Sequence, residues 1–283
     1  MRKKRLLSVI LVIAVLAGIA LAAYPLFSLR YSEKHQSKVH TEYENVLAAA
    51  DSQDIKDARD AAQHYNEQLL SSVTFGSMEE SPSCYDDLLN LSGNGIMCYV
   101  EIPAIDVNIP VYHGTGEAVL EKGAGHMAGT SLPVGGEGSH AVISAHTGMA
   151  TEKMFTDLGQ LRKGDHFVIH VLNDDLVYSV DQISTVLPTE IDSLKIDPHE
   201  DLVTLVTCTP YGVNSHRLLV RGHRIFFIEP VEKESLSQEI SEEKQDDSTW
   251  LQKYWHGILT GLIIVAAAGV IAAVVLLIRR RKK

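Results

Sequence analysis

The sequence predicts a mainly β fold, a closed or nearly closed barrel, with helices on its N-terminal flank and a transmembrane helix at each end. Three observations predict it. From Gly95 onward, short apolar, β-branched runs alternate with Gly- and Pro-rich turns, and no long helical pattern intervenes. Before that, residues 31–70 are polar and rich in Ala, Glu, Gln, Asp and Lys, a composition that favours helix. At the two ends lie the apolar runs Leu6 to Ala23 and Ile258 to Ile278, each long enough to cross a bilayer.

Taken in order, Met1-Arg-Lys-Lys-Arg5 precedes the first apolar run and Arg279-Arg-Arg-Lys-Lys283 follows the second. Basic flanks on the outer ends put both termini in the cytoplasm and everything between them outside the membrane. Ala20-Leu-Ala22 resembles a signal-peptidase site, so residues 1–28 read as an uncleaved anchor or as a signal peptide; the length of the run favours the anchor. Residues 29–94 are expected to be a helical flank, with only weak apolar stripes at Val46-Leu47 and Ala61-Ala62. Residues 95–230 carry the barrel, and roughly 130 residues suffice for one core. Within it, His166 to Leu172, Asn173-Asp-Asp175 and Leu176 to Val180 read as strand, turn and strand. Residues 231–250 are an acidic, solvated tether. The last segment, 251–283, is the second span with its basic tail, and Trp250, Tyr254 and Trp255 stand where an interfacial anchor belongs.

Charge and cysteine content narrow the function. Nine of the 25 Lys plus Arg lie at the two ends, so the portion between them carries about 20 net negative charges against 36 Asp plus Glu. That excludes nucleic acid as a partner, since phosphate binding needs a basic face. It also argues against docking on anionic lipid beyond the two spans themselves. Three cysteines, Cys84, Cys98 and Cys208, leave at least one free thiol outside the cell. Cys84 and Cys98 read either as a pair or as separate buried thiols. No Cys/His spacing resembles a metal site despite 13 histidines, and no cofactor motif occurs.

The chemistry-bearing stretch is Thr204-Leu-Val-Thr-Cys208-Thr-Pro-Tyr-Gly-Val-Asn-Ser-His-Arg217-Leu-Leu-Val. Val203 to Thr207 and Leu218 to Val220 read as buried strands, joined by a turn built from Pro210, Gly212, Asn214 and Ser215. If the strands pair, Cys208 and Arg217 face each other, and a permanent guanidinium charge favours a thiolate. Taken alone, a cysteine here reads as a structural residue. A second stretch changes that: Ala141-Val-Ile-Ser-Ala-His146-Thr-Gly148 is a strand running straight into a histidine and a glycine turn. Cys and His far apart in sequence are what a thiol-dependent acyl-transfer site requires.

These two stretches resemble those of class C sortases, the pilin-polymerising transpeptidases of Gram-positive bacteria. Tyr99-Val-Glu-Ile-Pro-Ala-Ile-Asp-Val-Asn-Ile-Pro-Val-Tyr-His-Gly114 and Gly125-His-Met-Ala-Gly-Thr-Ser-Leu-Pro-Val-Gly-Gly136 extend the likeness, which runs from Gly95 to Ile228. The resemblance implies an eight-stranded barrel, with Cys208 as nucleophile, His146 as acid/base and Arg217 as the essential arginine. It implies cleavage of an LPXTG-like signal between Thr and Gly through a thioester, then transfer to a lysine of a pilin subunit. It assigns no substrate-binding residues. A sortase that anchors surface proteins to peptidoglycan, a hydrolytic cysteine peptidase and a non-catalytic pilus scaffold are the competing readings. His216 is expected on the opposite strand face from Arg217, and His126, His140 and His223 are expected to be structural. One departure stands out. The Asp-Pro-aromatic lid tripeptide of class C sortases does not occur in Ser71 to Asp87, where only Phe75, Cys84 and Tyr85 could plug a cleft. The lid is absent, shortened or built differently, no lid residues are assigned, and if it is absent a more accessible thiol is expected.

Overall fold

The computed structural model describes Gly18 and residues 40–41, 43–71, 85–148 and 153–226. Apart from Gly18, both expected membrane spans lie outside the described residues, as do the acidic tether, Phe75 and Cys84. No helix among the described residues is long and apolar enough to cross a membrane. The strands and flanking helices belong to one compact unit, Phe27–Phe227.

The barrel has eight strands: β1 (Ile96–Ile102), β2 (Val107–His113), β3 (Ala124–His126), β4 (Ser139–Ser144), β5 (His166–Val171), β6 (Asp174–Val186), β7 (Asp201–Thr209) and β8 (His216–Arg224). They close in the order β1-β2-β3-β4-β7-β8-β6-β5. The pairs β2/β3 and β4/β7 are parallel and the others antiparallel. Closure leaves no exposed sheet edge, which is the usual solution for a small all-β core.

Strand alternation divides the side chains between two faces. Ala141 and Ile143 of β4, Val203 and Leu205 of β7, and Val220 of β8 join Phe167, Ile169 and Tyr178 in the barrel interior. Val142, Val206 and Leu219 point the other way and form a separate outer cluster, capped by Leu194 from the connection between β6 and β7. This outer face positions the candidate site.

The helical flank docks more specifically than its weak stripes predict. Helix α1 (Ser52–Ser71) starts at Asp51, whose side chain accepts from the Gln53 N–H at 3.3 Å. It buries Ile55, Ala62, Tyr65, Asn66 and Leu69. Asn66 reads the barrel backbone in both directions: its amide donates to the Leu132 carbonyl (3.0 Å) and its oxygen accepts from the Leu132 N–H (2.7 Å). Arg59 of α1 pairs with Asp174 at the start of β6.

The β5–β6 turn differs from the expected Asn-Asp-Asp. Val171 pairs with Asp174, so the turn is Leu172-Asn173, and Leu172 takes φ +52°. A leucine seldom adopts that conformation. Here it is held by burial (5% exposed) and by its N–H, which donates to the Tyr43 hydroxyl at 3.2 Å. Tertiary packing therefore overrides local turn preference. Strand β6 also runs on to Val186, with a bulge between Val180 and Gln182, and so reaches the end of the barrel where Cys208 lies.

Candidate active site

Three strands deliver the three residues singled out by sequence to one outer face. In the β7/β8 ladder Cys208 stands directly opposite Arg217. Paired residues in a sheet share a face, so Cys208 and Arg217 lie on the side of Val206 and Leu219. The β4/β7 register is parallel, with Ser144 beside Val206. The ladder continues past the end of β4: the Ala145 N–H donates to the Val206 carbonyl (3.1 Å), and Thr207 Oγ1 donates to the Ala145 carbonyl (2.8 Å). One residue further, His146 therefore falls beside Cys208. Ile143 and Ala145 face the interior, so His146 shares the outer face with Val142 and Ser144.

The surroundings favour reactivity. Cys208 is partly exposed, whereas Cys98 is a free thiol buried in the core, where burial pushes its thiol pKa far up. Cys98 is thus held as an inert neutral thiol. The Phe155 N–H donates to the His146 carbonyl at 3.0 Å, so a fully buried residue holds the backbone carrying the imidazole. Arg217 Nη1 donates to the carbonyls of Asn214 (3.2 Å) and His216 (3.1 Å). Those bonds engage one arm of the guanidinium and fix its plane, while Nη2 and Nε keep further donors. On the other side Arg217 pairs with Val186 of β6, after which Leu187 and Ile191 remain 46% and 44% exposed.

The other histidines divide as their positions dictate. His126 is fully buried; Nε2–H donates to the Ser131 carbonyl (2.8 Å) and Nδ1 accepts from the Tyr85 hydroxyl (2.8 Å). Burial lowers its pKa to about 4, so it is neutral. In His140, Nδ1–H donates to the Lys195 carbonyl and Nε2 accepts from Thr204 Oγ1, and burial again lowers the pKa. His216 pairs with Thr209 on the face opposite Arg217 and meets Ser215 Oγ through Nδ1 (2.9 Å). His223 pairs with Leu202. Tyr85, offered by the sequence as a cleft plug, is buried against Tyr65, His113 and His126 instead. Its hydroxyl also accepts from the Gly114 N–H, so it serves as a core anchor at the β2/β3 side.

Among the described residues no group of three or more His, Cys, Asp or Glu is placed to hold a metal ion. An open depression of about 560 Å³, lined by Val46, Ala50, Asp54, Ala58 and Leu91 among others, contains neither thiol nor imidazole.

Residues 100–225 match the sortase domain. The structure resembles that of sortase C1 from Streptococcus agalactiae with a TM-score of 0.63 and 41% identity, covering 67% of this chain and 98% of that one. The chain belongs to the sortase family. Sortase C of Streptococcus pneumoniae is 44% identical with a TM-score of 0.62, covering 69% of this sortase and all (100%) of that chain. Sortase A of Streptococcus agalactiae serotype III (strain NEM316) is 27% identical over 164 residues, 52% of this chain; the match spans 66% of that relative's length. Sortases are cysteine transpeptidases, and the closed eight-stranded barrel is their fold.

Sequence reasoning missed two features of the site. One is the Thr207–Ala145 bond that ties the strand carrying Cys208 to the strand that leads into His146. The other is the contact of Tyr211 with Gly148. Neither had a local signal, since each joins segments about 60 residues apart in sequence.

Proposed function

We propose that this sortase is a class C transpeptidase that polymerises pilin subunits, with Cys208 as nucleophile, His146 as acid/base and Arg217 as the group that binds the developing oxyanion. The observation that carries this reading is the convergence of a thiol, an imidazole and a guanidinium on one outer face from β7, the end of β4 and β8. The Streptococcus pneumoniae sortase C is described in terms of pilin substrate specificity, which supports the choice of substrate.

In the first step the Cys208 thiolate attacks the carbonyl of the threonine in an LPXTG-like signal. Arg217 donates to the tetrahedral oxyanion, and His146 protonates the departing glycine amine. The C–N bond breaks and a thioester remains on Cys208. In the second step a lysine amine of another pilin attacks the thioester, His146 takes its proton, and the thiolate leaves. The product is an isopeptide bond. The apolar outer cluster of Val142, Val206, Leu219 and Leu194 lies along the same face and suits the apolar residues of the signal. In this reading two membrane spans, one at each end of the chain, hold the barrel outside the cell beside its substrates.

The test is a polymerisation assay with full-length protein and a pilin bearing a sorting signal, resolved on a denaturing gel. A ladder of boiling-resistant multimers that disappears with Cys208→Ala is the expected result. Cleavage of the signal without a ladder would instead favour anchoring to peptidoglycan. Polymerisation by the Cys208→Ala protein would remove the thiol mechanism altogether.

A further inference from the structure

We infer that Tyr211 is a positioning residue that sets the His146 loop against the Cys208–Arg217 turn. The inference rests on the assignment of Cys208 and His146 made above. Tyr211 lies three residues after Cys208, and Gly148 lies two residues after His146. The Tyr211 ring sits on the backbone at Gly148. A Cβ added there would come within 2.3, 2.9 and 3.0 Å of three ring carbons, and Gly148 has φ +77°. Only glycine permits both that conformation and so close an approach.

Each side of the contact is anchored to a different part of the site. On the histidine side, the Gly148 N–H donates to Thr156 Oγ1 (3.0 Å), and the neighbouring Phe155 N–H holds the His146 carbonyl. On the cysteine side, Tyr211 belongs to a turn in which the Val213 and Asn214 N–H groups both donate to the Pro210 carbonyl (3.1 and 2.9 Å). The Asn214 carbonyl in turn accepts from Arg217 Nη1. The ring thus couples the loop that follows the imidazole to the turn that joins the thiol to the guanidinium. Tyr211 is otherwise largely exposed.

Stability does not explain this arrangement. Tyr211 remains 71% exposed, so its ring withdraws little apolar area from solvent and contributes little to folding. What it does fix is the relative placement of two catalytic loops, and a displacement of about 1 Å at such a site can cost on the order of 100-fold in rate. The ring makes the contact, so the hydroxyl is dispensable.

The experiment uses full-length wild-type, Tyr211→Phe, Tyr211→Ala and Gly148→Ala proteins. It measures kcat and KM on a fluorogenic sorting-signal peptide. It also measures the pH profile of iodoacetamide alkylation at Cys208, read by peptide mass spectrometry. Arg217 stands opposite Cys208 and His146 follows Ala145 beside Thr207, while His140, Arg221 and Asp181 lie further along the same face around Thr204. A profile that moves with Tyr211 therefore reports the placement of His146 and Arg217.

Tyr211→Ala is expected to lower kcat by about 10-fold or more, leave KM within about 2-fold and move the midpoint of the alkylation profile. Its melting temperature should stay close to wild type. Tyr211→Phe should match wild type, and Gly148→Ala should follow Tyr211→Ala. A Tyr211→Ala protein with unchanged kcat and alkylation profile overturns the inference. So does an effect confined to KM, which would make the ring a substrate contact, or a Tyr211→Phe protein as impaired as Tyr211→Ala. Failure of the wild-type protein to cleave the peptide counts against the assigned function instead, and the alkylation profile still decides the role of Tyr211.

Discussion

The two faces of the β4-β7-β8 sheet are built from the same strands and do opposite work. Inward, Ile143, Ala145, Leu205 and Val220 are closed into the core, and Thr207 Oγ1 beside it donates to the Ala145 carbonyl. Outward, Val142, Val206 and Leu219 give way further along their strands to His146, Cys208 and Arg217. The histidines repeat the contrast. Both nitrogens of His126 and of His140 are engaged by hydrogen bonds, whereas among the described residues no hydrogen bond engages the ring of His146. Burial converts an imidazole into a neutral structural link; an end-of-strand position leaves it free for proton transfer. Position along the strand separates His140 from His146: both lie on the outer face of β4, but His140 is covered by the β6–β7 connection at Lys195 whereas His146 stands past the strand end.

The contrast is broken most severely at the open end. Cys208→Ala or His146→Ala should lower transpeptidation by roughly a thousand-fold or more while leaving the melting temperature nearly unchanged, as checked by peptide cleavage and thermal unfolding. A large loss of stability in either variant would mean that these side chains belong to the core after all.

Arg217→Lys comes next, with an expected loss on the order of 100-fold in kcat. Lysine keeps the charge but has no planar fork to hold the Asn214 and His216 carbonyls while aiming other donors at an oxyanion. Steady-state kinetics on the sorting-signal peptide check this.

The buried histidines predict a pH dependence of stability rather than of chemistry. The unfolded chain takes up a proton at His126 near the ordinary histidine pKa of about 6.5, but the folded protein refuses it until about pH 4. The unfolded state therefore binds more protons between those values, and stability falls as pH drops through that window. The loss amounts to at most about 3 kcal/mol. His140 acts in the same direction. Urea unfolding at pH 7.5 and 4.5 should show the decline, and His126→Gln should flatten it. An equal decline in that variant would assign the effect to other groups.

The smallest effect sharpens the contrast from the flank. Asn66→Ala leaves the Leu132 N–H and carbonyl without their partner and should cost about 1–3 kcal/mol in urea unfolding, with kcat unchanged.

Much of this arrangement was legible in the sequence. The β7/β8 hairpin, the facing of Cys208 and Arg217, and the β5/β6 hairpin follow from apolar runs bounded by turn residues. The expectation that His126 and His140 are structural agrees with their burial. What stayed hidden depends on contacts distant in sequence. The parallel pairing of Ser144 with Val206 brings together strands about 60 residues apart, and no local pattern encodes it. Leu172 adopts a positive φ because Tyr43 and the core hold it there, against its own preference. Asn66 looks like an ordinary exposed helix residue until the Leu132 backbone arrives beside it.

The most direct test of the central claim is to trap the acyl-enzyme. Full-length protein is incubated briefly with a sorting-signal peptide, quenched in acid and mapped by mass spectrometry. The account predicts an adduct on the Cys208 peptide with the mass of the signal up to its threonine, released by hydroxylamine and absent from Cys208→Ala. Peptide cleavage without any adduct, or an adduct on another residue, would contradict it.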